Sequence, residues 1–132
     1  MKHNFILLVV LFGFLSNVIG QTTYYIDSVD GSDSNNGLSE GDAWQSIGKV
    51  NQSTFLPGNR ILFKSGREFF GKLIPPSSGD SSNPITFGKY GGVTRPTING
   101  KNYLMCIDAS GKEYLTFENL ILKNDASDVH DS

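Results

Sequence analysis

An all-β fold built as the first coils of a parallel β-helix, behind an N-terminal capping helix, is what this sequence predicts, on three observations. The first is a recurring interval. Ile74 closes Lys72-Leu73-Ile74, Ile98 sits in Pro96-Thr97-Ile98-Asn99-Gly100 and Leu122 closes Leu120-Ile121-Leu122, at steps of 98 − 74 = 24 and 122 − 98 = 24. Ile61-Leu62-Phe63 and Ile85-Thr86-Phe87 repeat the step, since 85 − 61 = 24. Short apolar runs recurring at a period of this size signal stacked repeats. The second observation is that each run is too short for a helix and is bounded by Gly, Pro, Asn or Ser. The third is that no helical segment lies between these runs, which favours a β-helix over a helical solenoid.

The chain opens with a polar Lys2-His3, an apolar run from Phe5 to Leu15, then Ser16-Asn17 and Val18-Ile19-Gly20 before Gln21. That layout predicts a signal peptide over 1–20, cleaved after Gly20. Its apolar run falls well short of the roughly 20 residues that span a bilayer. A membrane anchor is the alternative reading of the same run. Export to the medium or the cell surface follows, with no membrane contact after cleavage. The remaining 21–132, 132 − 20 = 112 residues, suit one domain. Without Lys2 it carries 10 basic and 13 acidic residues, a net charge of −3, and no Lys/Arg run. Nucleic acid is therefore not an expected partner. The single Cys106 excludes an internal disulfide, and in Leu104-Met105-Cys106-Ile107 it reads as a buried small hydrophobe.

Thr23-Tyr24-Tyr25-Ile26 has strand composition. The segment Asp27 to Gly37 is turn chemistry, rich in Asp, Asn, Ser and Gly. Asp42 with Gln45 resembles a capping box, and Trp44, Ile47 and Val50 form one apolar stripe, which predicts a helix near Ala43 to Val50. Such a helix would cover the open strand edges at the end of a β-stack. Trp44 would then pack on the first rung; the alternative is a platform for stacking sugar. Pro57-Gly58 marks a turn, Ile61 to Phe63 a strand, and Arg67 to Ile74 a strand pair broken at Gly71. Pro75 to Pro84 is a loop, Ile85 to Phe87 a strand and Lys89 to Gly92 a turn. Leu115 to Phe117 and Leu120 to Leu122 are the last strands.

Phe55 to Gly66 (FLPGNRILFKSG), Asn83 to Gly92 (NPITFGKYGG) and Arg95 to Gly100 (RPTING) resemble the N-terminal region of secreted right-handed parallel β-helix proteins of the pectate-lyase-like kind. Tyr24 to Gly37 (YYIDSVDGSDSNNG) and the DAWQSIGKVN starting at Asp42 resemble that group's first strand, turn and capping helix. One departure is Pro57-Gly58-Asn59, where such proteins often carry Asp after the Gly; Asn serves the same turn. The resemblance implies a protein related to polysaccharide lyases acting on acidic polysaccharides. It further implies that catalytic residues lie in later coils, so 21–132 is expected to be a truncated N-terminal part that is not itself catalytic. A non-catalytic glycan-binding or cell-surface β-helix is the alternative, and a truncated product without independent function a third. Polysaccharide is the implied partner.

Lyase chemistry needs a base and neutralisation of the uronate carboxylate, often by Ca²⁺ held on several oxygens. The resemblance makes Ca²⁺ a candidate for a full-length relative; this segment is expected to hold no cofactor. Asp27, Asp30 and Asp33 fall at every third position rather than in the alternating order of a calcium loop, and read as a solvated turn. Asp125, Asp128 and Asp131 beside His130 read either as a carboxylate or metal site or as plain polar sequence. His130 has no identifiable partner, and catalytic and metal residues stay unassigned. Asn51-Gln52-Ser53 matches the glycosylation pattern by chance, and Asn119 and Asn124 are read as structural turn residues.

Overall fold

The computed structural model describes residues 21–101 and 104–125. The segment 1–20 expected as a leader and the cluster Asp128, His130 and Asp131 lie outside the described residues. Seven short strands dominate: β1 (Thr23–Ile26), β2 (Arg60–Lys64), β3 (Glu68–Phe70), β4 (Ile85–Tyr90), β5 (Thr97–Asn99), β6 (Leu115–Phe117) and β7 (Ile121–Lys123). They are joined by one helix, α1 (Ile47–Gln52), and a 3-10 turn at Glu40–Asp42. Every strand pairing is parallel. One sheet runs β1-β2-β4-β6 and the other β3-β5-β7. A parallel bridge between Leu73 and Ile107 adds a third line of contact.

Side chains that point inward stack in columns across the parallel strands. In the four-stranded sheet Tyr24, Ile61, Phe87 and Phe117 share one line. Phe69, Ile98 and Leu122 share the facing line in the three-stranded sheet. Ile61, Phe63, Phe87 and Ile98 have no exposed surface. Phe63 meets Phe69 edge-on at 4.9 Å and so joins the two sheets, while Phe87 stacks on Phe117 at 5.1 Å. Aromatic contacts of this kind add to the area they bury.

The step along each column is not constant. Ile98 pairs with Leu122 at the expected 122 − 98 = 24, but the partner of Ile98 in the preceding coil is Phe69, 98 − 69 = 29 residues back. Ile74 does not join this column. The chain bends at Gly71 after β3 (φ +125°), and the Ile74 N–H donates to Asn51 Oδ1 at 2.8 Å. Leu73 takes the interior place and Ile74 stays exposed. Ile61 likewise pairs with Phe87, at 87 − 61 = 26, rather than with Ile85. A shift of two keeps the same face of a pleated strand inward, so Ile85 is buried all the same. The expected turn at Lys89–Tyr90 is the end of β4, where Tyr90 meets Tyr25 edge-on at 5.0 Å.

A helix over Ala43–Val50 is not seen. Trp44 is extended and bridges Ile26; its N–H donates to the Tyr25 carbonyl at 2.9 Å and its own carbonyl accepts from Asp27 N–H at 2.8 Å. The Asp42–Gln45 box does not form. Ser46 caps α1 instead, accepting from Lys49 N–H at 3.1 Å, so the helix starts later and ends at Gln52. Trp44, Ile47 and Val50 are nevertheless all buried against the first coil. Trp44 lies against Tyr24 with ring centres 5.0 Å apart, and its indole N–H donates to Asn35 O at 2.9 Å. Gly37 passes against this ring: a Cβ there would lie 2.6 Å from Trp44 Cε2, and its φ is +74°.

Candidate functional site

The acidic turn after β1 is not solvated throughout. Asp27 is 3% exposed, and its Oδ1 accepts from the N–H groups of Val29 and Asp30 at 3.0 and 3.2 Å. Arg67 Nε lies 3.2 Å from Oδ1 and Lys64 Nζ 3.3 Å from Oδ2. Arg67 also reaches Asp30 at 3.2 Å. Burial alone would raise the Asp27 pKa; the Val29 and Asp30 N–H groups and the Lys64 ammonium outweigh it and hold the carboxyl below its ordinary value. Asp33 is tied as well. It accepts from Gln45 N–H and Ser46 N–H, both at 2.9 Å, and from the Ser46 hydroxyl at 2.6 Å. Burial raises its pKa, but these bonds lower it by more, for a net depression. Asp27 ties the turn after β1 to Lys64 and Arg67 and is buried, whereas Asp33, exposed, ties the same turn to the segment that leads into α1.

A second cluster occupies the outer face of the β3-β5-β7 sheet. Side chains alternate along a strand, so with Phe69, Ile98 and Leu122 inward, Glu68, Phe70, Asn99 and Lys123 face out. Asn99 is buried by its neighbours to 2% exposure. Its amide donates to Glu68 Oε1 at 2.8 Å and Asp125 Oδ2 at 3.4 Å. Its Oδ1 accepts from the N–H groups of Lys101 at 2.9 Å and Asp125 at 3.3 Å. Lys123 Nζ pairs with Asp125 at 2.7 Å, which raises the lysine pKa. Asp125 is thus drawn into a polar network, while its sequence companions 128 and 131 lie outside the described residues. Lys101, in a left-handed turn (φ 45°), carries its ammonium 4.5 Å from the centre of the Phe70 ring.

Phe70 is 54% exposed and lies in a cleft of about 180 Å³ with Ser28, Gln45, Ser46, Ile47 and Phe69. A smaller cleft of about 120 Å³ lies between Ile107, Phe117, Glu118, Asn119, Leu120 and Leu122. Among the described residues, no group of three or more His, Cys, Asp or Glu side chains is placed to hold a metal ion. Trp44, 5% exposed, has no face free for a sugar. Cys106 is only partly buried, because Leu104 and Met105 beside it are exposed; its thiol donates to Lys123 O at 2.9 Å. Asn51 is consumed by the strand after Gly71, donating to Lys72 O at 2.9 Å as well as accepting from Ile74. Asn119 adopts φ 57°, a turn conformation that Asn tolerates. Glu68, Phe70 and Asn99 were not singled out by sequence reasoning. The Phe69-Phe70 doublet in a strand carries the usable signal, since one of two adjacent residues must face out.

The architecture is that of a mostly β protein with parallel sheets, and proteins similar to it include glycan-degrading enzymes. The chain is 33% identical over 141 aligned positions to a lacto-N-biosidase of Bifidobacterium longum, covering 83% of this chain and 9% of that protein. Two crystal structures of a GH136 lacto-N-biosidase from Eubacterium ramulus superpose with TM-scores of 0.76 and 0.75 at 25% identity, covering 84% of this chain and 22% of theirs. A rhamnogalacturonan lyase superposes more loosely, with TM-score 0.47 and 21% identity over 78% of this chain and 27% of that one. The chain thus spans about a tenth of the curated relative and under a quarter of the solved one. No family model matches it.

Proposed function

We propose that this chain is the N-terminal segment of an exported, right-handed parallel β-helix protein that hydrolyses glycans, with the bond-breaking residues on coils beyond this segment. The observation that carries the reading is the likeness to two lacto-N-biosidases over more than four-fifths of the chain. The parallel ladders and the inward columns support the β-helix. The Trp44–Ile47–Val50 cluster, buried on the first coil, supports a capping role for that region. The leader layout at 1–20 supports export. Further coils are supported by the share of the relatives that the chain spans, 9% and 22%. Hydrolysis is preferred to the lyase reaction because the matched relatives are named as biosidases. Glycosidases generally use a pair of carboxyl groups flanking the scissile bond. Glu68 and Asp125 are instead engaged with Asn99 and Lys123. No cofactor is assigned to this segment.

The test compares the 132-residue chain with a longer product carrying further coils. Both are incubated with neutral oligosaccharides and with pectate, with and without Ca²⁺. New reducing ends from the longer product alone are expected. Ultraviolet absorbance of unsaturated uronate would establish a lyase instead. Turnover by the short chain, lost on Asp125→Asn, would place the active site within this segment.

A further inference from the structure

We infer that Phe70 and the cleft around it form a glycan-binding subsite that takes one pyranose ring of a neutral oligosaccharide, a reading that rests on the glycan function proposed above. The argument starts from an exposed aromatic ring. Phe70 is one of two aromatic residues more than half exposed among the described residues, and it lines a cleft. An aromatic face left in water is costly unless something covers it, and the apolar C–H face of a pyranose covers such a ring well. The cleft floor is the buried Phe69 and Ile47, while its rim carries Ser28 and the exposed Gln45 amide, which donates to Ser28 O at 3.4 Å. The Lys101 ammonium does not line the cleft; it lies 4.5 Å from the centre of the Phe70 ring, beside the part of the ring left exposed.

The turn that brings Lys101 there is built for the purpose of holding it. Asn99 Oδ1 accepts the Lys101 N–H at 2.9 Å, and Lys101 takes a left-handed conformation that a lysine adopts only under constraint. Asn99 is itself locked by Glu68 and Asp125. The outer-face network therefore fixes the Lys101 backbone, from which the side chain reaches the Phe70 ring. The charges on this face are balanced, Glu68 and Asp125 against Lys101 and Lys123, which suits a neutral sugar better than a uronate.

Binding is read with the 132-residue chain, carried on a soluble fusion partner that binds no sugar. Cellohexaose and galactotetraose serve as neutral probes and tetragalacturonate as the acidic one, with titration calorimetry and saturation-transfer NMR. Wild type is expected to bind at least one neutral probe. Phe70→Ala should weaken that binding about tenfold and Phe70→Trp should keep it, since the effect is loss of a stacking face. Melting temperatures of both variants should match wild type, because Phe70 is largely outside the core. Unchanged binding by Phe70→Ala would overturn the assignment, as would no binding of any probe by wild type at millimolar concentration. Preference for tetragalacturonate, abolished by Lys101→Ala, would overturn the neutral-sugar assignment. Reducing-end release by the longer product reads the proposed function separately, so the subsite can fail while hydrolysis stands.

Discussion

Replacing Asp27 should uncouple the first strand from the coils that follow. The carboxylate accepts from two backbone N–H groups and from Lys64 and Arg67, and it is 3% exposed. Each hydrogen bond that involves a charged group contributes about 1.5–3 kcal/mol. The cation side chains keep 37% and 30% of their exposure, so water recovers much of what they lose. Asp27→Ala should then cost on the order of 3 kcal/mol. Asp27→Asn keeps an oxygen for Val29 and Asp30 but turns an amide toward Lys64, and should cost about 2 kcal/mol. The pH dependence follows from the depressed folded pKa. Below its ordinary 3.8 the unfolded chain takes up the proton first, so the stability from Asp27 is full above that pH and disappears as pH falls through the lower folded value. Urea unfolding followed by Trp44 fluorescence, run from about pH 7 down to about pH 3, tests this. The gap between wild type and Asp27→Asn should be widest near neutrality and narrow in acid. A loss under about 1 kcal/mol for Asp27→Ala, or a gap independent of pH, would refute the reasoning.

Gly37→Ala should destabilise the chain by more than about 1 kcal/mol, because φ is +74° and the added Cβ meets the Trp44 ring; a thermal melt reads it. Asn99→Ala should cost about 2 kcal/mol, seen in the same melts, since it strips the partners from Glu68 and from the Lys101 N–H. Tyr90 has a buried hydroxyl without a hydrogen-bond partner among the described residues, so Tyr90→Phe should leave stability at neutral pH within about 0.5 kcal/mol of wild type. Burial, with help from the nearby Asp27 charge, pushes the Tyr90 phenol up to about 12 from 10.0. The phenolate is what the folded chain disfavours, so stability is unaffected below pH 10 and falls as pH rises from 10 towards 12, and Tyr90→Phe should flatten this alkaline fall in chemical unfolding.

The strand runs are legible in the sequence because β-branched and aromatic residues alternate between turn residues, and that pattern needs only local information. Pairing is less legible. The 24-residue step matches Ile98 and Leu122 but misses Phe69 and Phe87, because coil length is set by loops such as Pro75–Pro84 whose composition does not encode their span. The helix start fails for a related reason. Asp42 offers a good local cap, yet the Ile26 bridge holds Trp44 extended and leaves the cap to Ser46. Asp27 reads as turn chemistry until its cations are seen, and these lie 64 − 27 = 37 and 67 − 27 = 40 residues away. Distance along the chain hides such a partner from a single sequence.

Uneven coils have a mechanical consequence. Each further parallel strand extends its sheet by one strand spacing, roughly 4.8 Å, whether the connection to it consumes few residues or many. Height in this molecule is therefore metered by rungs, not by residue count. An insertion at a corner, for instance among Ser77 to Ser82, lengthens a protruding loop and leaves every level where it was. One extra residue inside Ile85–Tyr90 would rotate Ile85 or Phe87 out of the interior and put the ladder out of step with both neighbours. Corners are thus free to diversify into surface features while the shaft that carries them keeps its gauge.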